Sequence, residues 1–349
     1  GDPGFGLFAA LPDGTVVEFP AAETTRMQVI HNSPSGTVDV YANGFILLDD
    51  FEFRTATPFI NVPADVEVDI AVAPSNSVSV ADAIATFDNI VFNSGQTYVV
   101  TADGIVGDAD FPFTLHVNDM AREAAATAGN VEFSVLHGSP GAPNVDVDAF
   151  AVGNLISDLA YGNYTDDYLS VAPRNYFLNV RAAGDPNIVA TFQADLSGLA
   201  DGAATVFASG LLGDDPAFGL FAALPDGTVV EFPAAQTTRV QIIHNSPSPT
   251  VDIYTNGLLL VDDFEFRTAT PFVNVPADVE IDVAVAPETS TSAADAIATF
   301  DNIVFNSGQT YVVVANGIVG DADFPFGLAV NAMARETGMM MDQVDFNVF

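Results

Sequence analysis

The chain has 349 residues, with 46 Asp and Glu against eight Arg, no Lys and no Cys, for a formal net charge of −38 at pH 7. Without Cys there are no disulfides, thiolate metal sites or Cys nucleophiles, and the negative charge excludes a phosphate-backbone partner. A hydrophobic content of 49% with 28 Phe excludes disorder, no apolar run approaches the roughly 18 residues that span a bilayer, and no basic region with an apolar stretch opens the chain.

The first predicted element is a hairpin over Phe5 to Phe19, turned at Pro12-Asp-Gly14. Short β-rich runs follow at Met27 to His31, Val38 to Ala42, Phe59 to Val62, Val66 to Ala73, Ala85 to Phe92, Thr97 to Thr101 and Phe111 to Val117. In Val66-Glu-Val-Asp-Ile-Ala-Val72, Glu67 and Asp69 face away from an apolar side, as in a half-buried strand. Asn43-Gly44, Ser94-Gly95 and Asp103-Gly104 supply the left-handed positions of tight turns. The one segment that admits a helix is Met120 to Ala126.

The residues of positions 1–123 return from position 214 at a constant shift of 213, roughly four in five of them identical. Phe5 to Gly14 reappears as Phe218 to Gly227, and His31-Asn-Ser-Pro34 as His244 to Pro247. Between the copies, His137-Gly-Ser-Pro140 with Val145-Asp-Val147 marks a diverged unit, so modules of about a hundred residues run in the order A, B, A. The expected boundaries are a terminal hairpin at 1–22, an A module at 23–126, a B module at 127–235, an A module at 236–338 and a terminal strand at 339–349. Phe5 to Phe19 resembles the end of a B module, and Val344-Asp-Phe-Asn-Val-Phe349 resembles the opening strand Val131 to Leu136 of B. The expected fold is all-β: three tandem immunoglobulin-like antiparallel β-sandwich domains with extra terminal strands.

The string Val29-Ile-His-Asn-Ser-Pro34, Val38-Asp-Val-Tyr41 with Asn43-Gly44, Thr57-Pro-Phe59 with Val62-Pro63, and Ser94-Gly-Gln-Thr-Tyr98 resembles the domain-of-unknown-function family 4397. All three modules carry the opening; module B departs from it at Asp148, Ala172-Pro173 and Ala203 to Val206. The resemblance implies secreted or surface-attached β-sandwich repeats of microbes and supplies no catalytic residues.

His31, His137 and His244 each stand alone in a module, whereas a zinc site needs three or four convergent ligands. They are expected to close strand ends and bond the Ser-Pro turn. Asp39, Asp146 and Asp252 sit between apolar residues on the polar side of a strand, and no Gly-x-Ser-x-Gly elbow accompanies them, so no enzyme is expected. Among the Asp pairs, Asp108 with Asp110 and Asp321 with Asp323 are the candidate calcium ligands, although no Asp-x-Asp-x-Asp-Gly loop occurs. Arg54 and Arg267 lie among aromatics and carboxylates, and Asn163-Tyr-Thr165 is a lone glycosylation sequon.

These features point to a structural subunit of an extracellular filament or surface layer, self-associating head to tail as its terminal strands pair with neighbouring subunits. The candidate assembly residues are Phe5, Leu7, Phe8, Val16, Val17, Phe19, Val344, Phe346, Val348 and Phe349. The charge points to a cell surface in high salt, where screening removes the self-repulsion. A plainer alternative is that the residues are a stretch of a longer A-B array. The rival of another class is an adhesin-like carbohydrate- or ligand-binding repeat protein, for which Tyr161, Tyr164 and Tyr168 are the candidate exposed aromatics.

Overall fold

A computed structural model describes residues 6–19, 21–247 and 249–338. Phe5 and the candidate strand residues Val344, Phe346, Val348 and Phe349 lie outside the described residues.

The hairpin is β1 (Leu7–Ala10) and β2 (Val16–Phe19), and the first A module continues with β3 (Thr24–His31), β4 (Val38–Ala42), β5 (Phe45–Phe51), β6 (Thr55–Ala56), β7 (Ile60–Pro63), β8 (Glu67–Pro74), β9 (Ala85–Val91), β10 (Thr97–Asp103) and β11 (Thr114–Asn118). Module B supplies β12 (Val131–Leu136), β13 (Val145–Ala149), β14 (Gly153–Leu159), β15 (Leu169–Val171), β16 (Asn175–Ala182), β17 (Ile188–Asp195), β18 (Ala203–Ser209), β19 (Gly219–Ala223), β20 (Val229–Phe232) and β21 (Ala234–Ala235). The second A module holds β22 (Thr237–His244), β23 (Val251–Thr255), β24 (Leu258–Phe264), β25 (Val273–Pro276), β26 (Glu280–Pro287), β27 (Ala298–Val304), β28 (Thr310–Asn316) and β29 (Gly327–Asn331). The described residues are thus all-β, and Met120 to Ala126 is irregular chain with bends where the sequence admitted a helix.

Each A module is built from two sheets. In the first, β11-β10-β3 continues to β6 and β7, beside β5-β4-β8-β9. The sheets meet because their strands alternate: Met27, Val29, Tyr98 and Val100 point inward with Phe92, Ile90 and Val62, and Val38, Val40 and Val72 pack with Phe51 and Phe87. Strand β5 was absent from the sequence reading. Its signal was the Asn43-Gly44 dipeptide, whose φ values of 50° and 81° form the left-handed pair that a tight hairpin requires.

The sheets are antiparallel except for one pairing in each module. β3 runs parallel to β10, β12 to β18 and β22 to β28, with Arg26 opposite Thr97, Glu132 opposite Ala203 and Arg239 opposite Thr310. The offset is 71 residues each time (97 − 26, 203 − 132, 310 − 239), so even the diverged B module keeps the register.

Contacts divide the chain into two compact units, and the division passes through B. One unit comprises the described residues up to 143 with 159–173 and 197–232, and the other 144–158, 174–196 and the described residues from 233. The B sheet β15-β12-β18-β19-β20 belongs to the first, and the B sheet β14-β13-β16-β17-β21 to the second. In the second unit, Val240, Val275, Ile281, Phe305 and Tyr311 form the core of the second A module, with Phe150 of B packed against it.

Candidate functional site

Alternation along β3 and β10 that turns Met27, Val29 and Val100 inward sends Gln28, Ile30, Val99 and Thr101 to the outer face of the same sheet. In the first unit that face is buried. Ile30, Phe59 and Val99 share a core with Leu136, Phe207, Phe221 and Ala223 of B, all 0–8% exposed.

Polar groups close the contact. The Gln28 Nε2 donates to Thr57 O (2.9 Å) and to Leu224 O (2.7 Å), and the Phe59 N–H donates to Pro225 O (3.1 Å). Arg54 Nη2 donates to Ala217 O (2.6 Å), its Nε to Ser209 Oγ (3.0 Å), and its guanidinium lies 4.4 Å from the centroid of the Phe221 ring. The hairpin tip fits against backbone: a Cβ on Gly227 (φ +90°) would stand 2.7 Å from Pro58 N. At the other end of the face, Thr101 Oγ1 meets Tyr164 OH at 2.7 Å, and the Tyr161 ring packs edge-on against Phe111 and His116.

Beneath Tyr161 lies a buried ionisable group. Asp103 is 0% exposed, accepts the Gly104 N–H (2.8 Å) and has its Oδ2 at 3.6 Å from His116 Nε2. Burial pushes the Asp103 carboxyl up to about 8, and burial also lowers the His116 imidazole. Glu132, 2% exposed, has the opposite setting. Its carboxylate accepts the Ala126 and Thr127 N–H groups (3.0 Å each) and an Arg122 Nη1 (2.5 Å), which hold it down at about 2.

The same outer face exists in the second A module, where it is partly open. Gln241, Ile243, Phe272 and Val312 are half-buried, and Arg267 and Asn245 exposed, whereas Asn32, the equivalent of Asn245, is fully buried. Gln241 Nε2 donates to Thr270 O (3.0 Å), repeating the first of the two bonds of Gln28. The β1–β2 hairpin is the complementary case. Its register, Leu7 opposite Phe19 through Ala10 opposite Val16, is the β19–β20 register displaced by 213. Leu7, Phe8 and Phe19 are 62%, 55% and 51% exposed, while Leu220, Phe221 and Phe232 are 5–6% exposed.

The motif histidines sit at strand ends and bond the turns that follow them. In His31 the Nδ1 accepts the Ser33 N–H (3.3 Å), so Nε2 carries the proton and donates to Gly36 O (2.8 Å). His137 repeats this with Ser139 and Pro143 O, and His244 Nε2 lies 3.4 Å from Pro249 O. The motif serines bond across the parallel pair: Ser33 Oγ to Gly104 O, Ser139 Oγ to Gly210 O and Ser246 Oγ to Gly317 O, at 2.6–2.7 Å. Burial lowers the imidazoles of His31 and His137, which favours their neutral form.

The motif aspartates hold bent strands. Asp39 accepts the N–H of Asp50 (3.0 Å), Asp146 that of Asp158 (2.9 Å) and Asp252 that of Asp263 (3.1 Å), and each donor residue has φ near +50°. The calcium candidates also have local duties: Asp108 Oδ1 accepts the N–H groups of Asp110 and Phe111, and Asp321 Oδ1 those of Asp323 and Phe324, at 2.8–2.9 Å. Among the described residues, one group of three carboxylates lies within 4.8 Å of one another, Asp252, Asp262 and Asp263, which joins a motif aspartate to one of the Asp pairs of the sequence. Tyr161, Tyr164 and Tyr168 are half-buried and engaged with Phe111, Thr101 and Arg122.

The family model described as a domain of unknown function (DUF4397) matches residues 25–148, 131–227 and 238–338. The chain belongs to the DUF4397 family. The first DUF4397 match runs through β12 into β13, so it overlaps the second over 131–148, where B begins. No curated protein matches the chain. Among solved structures, it is similar to alpha-glucan-recognising family 41 carbohydrate-binding modules from streptococcal virulence factors (11% identity, 56% of this chain and 96% of that one, TM-score 0.19). It is also similar to the TIE protein of Bacillus anthracis (9% identity, 87% and 51%, TM-score 0.17) and to the pilus adhesin SpaC of Lactobacillus rhamnosus GG (10% identity, 88% and 46%, TM-score 0.15). Scores this low mean that the chains do not superpose as wholes.

Proposed function

We propose that this DUF4397 protein is a structural subunit of an extracellular filament or surface layer, built by head-to-tail association of its repeats. The observation that carries the reading is the contrast between two copies of one hairpin: β19–β20 is a covered part of a five-stranded sheet, and β1–β2 is a two-stranded sheet with its apolar residues exposed. A two-stranded hairpin is marginal in water and gains stability from a further strand or a packing surface, and an exposed apolar edge is a template for another chain. A heterologous contact of this kind does not close on itself and propagates.

The protein is read as a non-enzyme of the cell surface of a salt-adapted microbe. The motif His, Ser and Asp side chains are spent on loop and strand geometry, and the charge of −38 suits a medium where repulsion is screened. Electron microscopy of the purified protein in molar salt tests the assembly reading: filaments or ordered layers are expected, and a monodisperse monomer at millimolar concentration rejects it.

A further inference from the structure

We infer that the outer face of β22 and β28 in the second A module is the docking surface for the β1–β2 hairpin of a second copy of this chain, in the geometry that β19–β20 adopts on the first A module. The inference rests on the assembly reading and gives it a surface, a register and an orientation. It places face-on packing, rather than edge pairing alone, at the joint.

The contact within the first unit is the template, and its two sides are duplicated. On the hairpin side, Phe221, Ala223 and Val229 face the first A module, and the 213-residue shift makes them Phe8, Ala10 and Val16. On the receiving side, Gln28, Ile30, Arg54, Phe59 and Val99 become Gln241, Ile243, Arg267, Phe272 and Val312 without one change of residue type. The tip Pro225-Asp226-Gly227 becomes Pro12-Asp13-Gly14, and a Cβ on Gly14 would meet nothing within 4 Å where one on Gly227 would strike Pro58.

On this outer face, differences between the A modules fall away from those positions. Thr101, Asp103, Thr114 and His116 stand on the outer side of β10 and β11, in the register that puts Thr101 opposite His116 and Asp103 opposite Thr114. Of these, Thr101 meets Tyr164 and His116 packs against Tyr161, both of B. In the second A module these positions are Val314, Asn316, Gly327 and Ala329. The second face lacks the Thr and His side chains that meet the B tyrosines in the first and keeps the five residues named on the receiving side. Docking would therefore bring the Leu11 carbonyl to the second N–H of Gln241, the Pro12 carbonyl to the Phe272 N–H, and the Phe8 ring beneath the Arg267 guanidinium.

The test uses the whole 349-residue chain with two variants at exposed or half-exposed positions, Phe8→Asp and Ile243→Asp with Arg267→Glu, followed by sedimentation velocity in molar salt. Wild type is expected to form open-ended oligomers that lengthen with concentration, and each variant to associate at least a hundredfold more weakly. An equimolar mixture of the variants, which retains one intact hairpin and one intact face, should stop at dimers. Circular dichroism equal to wild type separates lost docking from lost folding. If wild type assembles and the variants assemble equally well, the docking surface is wrong and the assembly reading stands; if wild type never assembles, both fail. A photo-crosslinking side chain at position 8 should attach to residues around Ile243 and Phe272 of another copy, and attachment elsewhere, or to a segment outside these residues, overturns the inference.

Discussion

The Gln28 side chain reaches Leu224 O at 2.7 Å across 196 residues of sequence, and so ties the outer face of the first A module to the last hairpin of B. One amide thus bridges two modules that the repeat period would describe as separate domains.

That bond has an internal control. Replacing Gln28 by Leu leaves the carbonyls of Thr57 and Leu224 without this donor, and the loss of a buried hydrogen-bond partner costs about 1–3 kcal/mol. Gln241→Leu removes the equivalent amide where the site is half-open to water, and should cost about 1 kcal/mol or less in the monomer. Calorimetric unfolding of the two variants in dilute solution checks the difference in transition temperature.

Asp103 gives the first unit a pH dependence. Its folded carboxyl holds a proton up to about 8 and its unfolded one releases it near 3.8, so rising pH favours unfolding across that window by up to about 1.4 kcal/mol per pH unit. His116 acts with the opposite sign below its ordinary 6.5, because the unfolded imidazole takes up a proton that the buried one refuses. The net fall in stability should therefore stand out between pH 6.5 and 8. Asp103→Asn, the residue already present at Asn316, should remove that fall and leave a rise with pH up to 6.5. Melting temperature against pH for the two proteins reads the result.

Glu132 contributes in the acid range. Its folded carboxylate stays charged down to about 2 against an ordinary 4.5, so its stabilisation is complete above 4.5 and disappears as pH falls toward 2. Glu132→Gln should lower stability at neutral pH by about 2 kcal/mol, the loss expected for charge-assisted bonds. It should also flatten the acid limb of the denaturation curve, which chemical unfolding at pH 7 and pH 3 measures.

Salt should stabilise the fold. At a net charge of −38, repulsion between carboxylates is long-range in dilute buffer and is confined to roughly 3 Å in molar salt. The thermal midpoint followed by circular dichroism is expected to rise by several degrees or more from 10 mM to 2 M NaCl, and an unchanged midpoint would show that the acidic surface is already accommodated.

Much of the fold was legible because period-two patterning and Gly-containing turns are local signals. They located β3, β4, β8 and β10, and the three His-x-Ser-Pro motifs marked equivalent strand ends. The covered outer face was not legible, because alternation divides residues between faces without saying what lies on either. A signal was present in Val29-Ile30 and Tyr98-Val-Val100, where apolar residues occupy both sides of the strand as they do in sheets buried on both faces. Tyr161 and Tyr164 look like loop-tip residues in sequence, and only the long-range approach of B to β10 and β11 turns them into packing residues. The duties of Asp39 and Asp146 were equally hidden, since a bulge held by a carboxylate depends on the strand beside it.

The parallel pairing at a constant offset of 71 residues bears on how such a chain comes to be folded at all. The opening strand of every module must wait for its partner until about seventy further residues exist, so these modules have high contact order and are expected to fold slowly. During that wait β3 could also accept β28, whose Tyr311-Val-Val313 is identical to Tyr98-Val-Val100, and exchange of equivalent strands is a known failure of tandem repeats. Separating two near-identical modules by a diverged one keeps the wrong partner distant, since β10 ends at Asp103 and β28 begins only at Thr310, after the whole of B has been made. The alternation of A with B thereby protects synthesis as well as shaping the product.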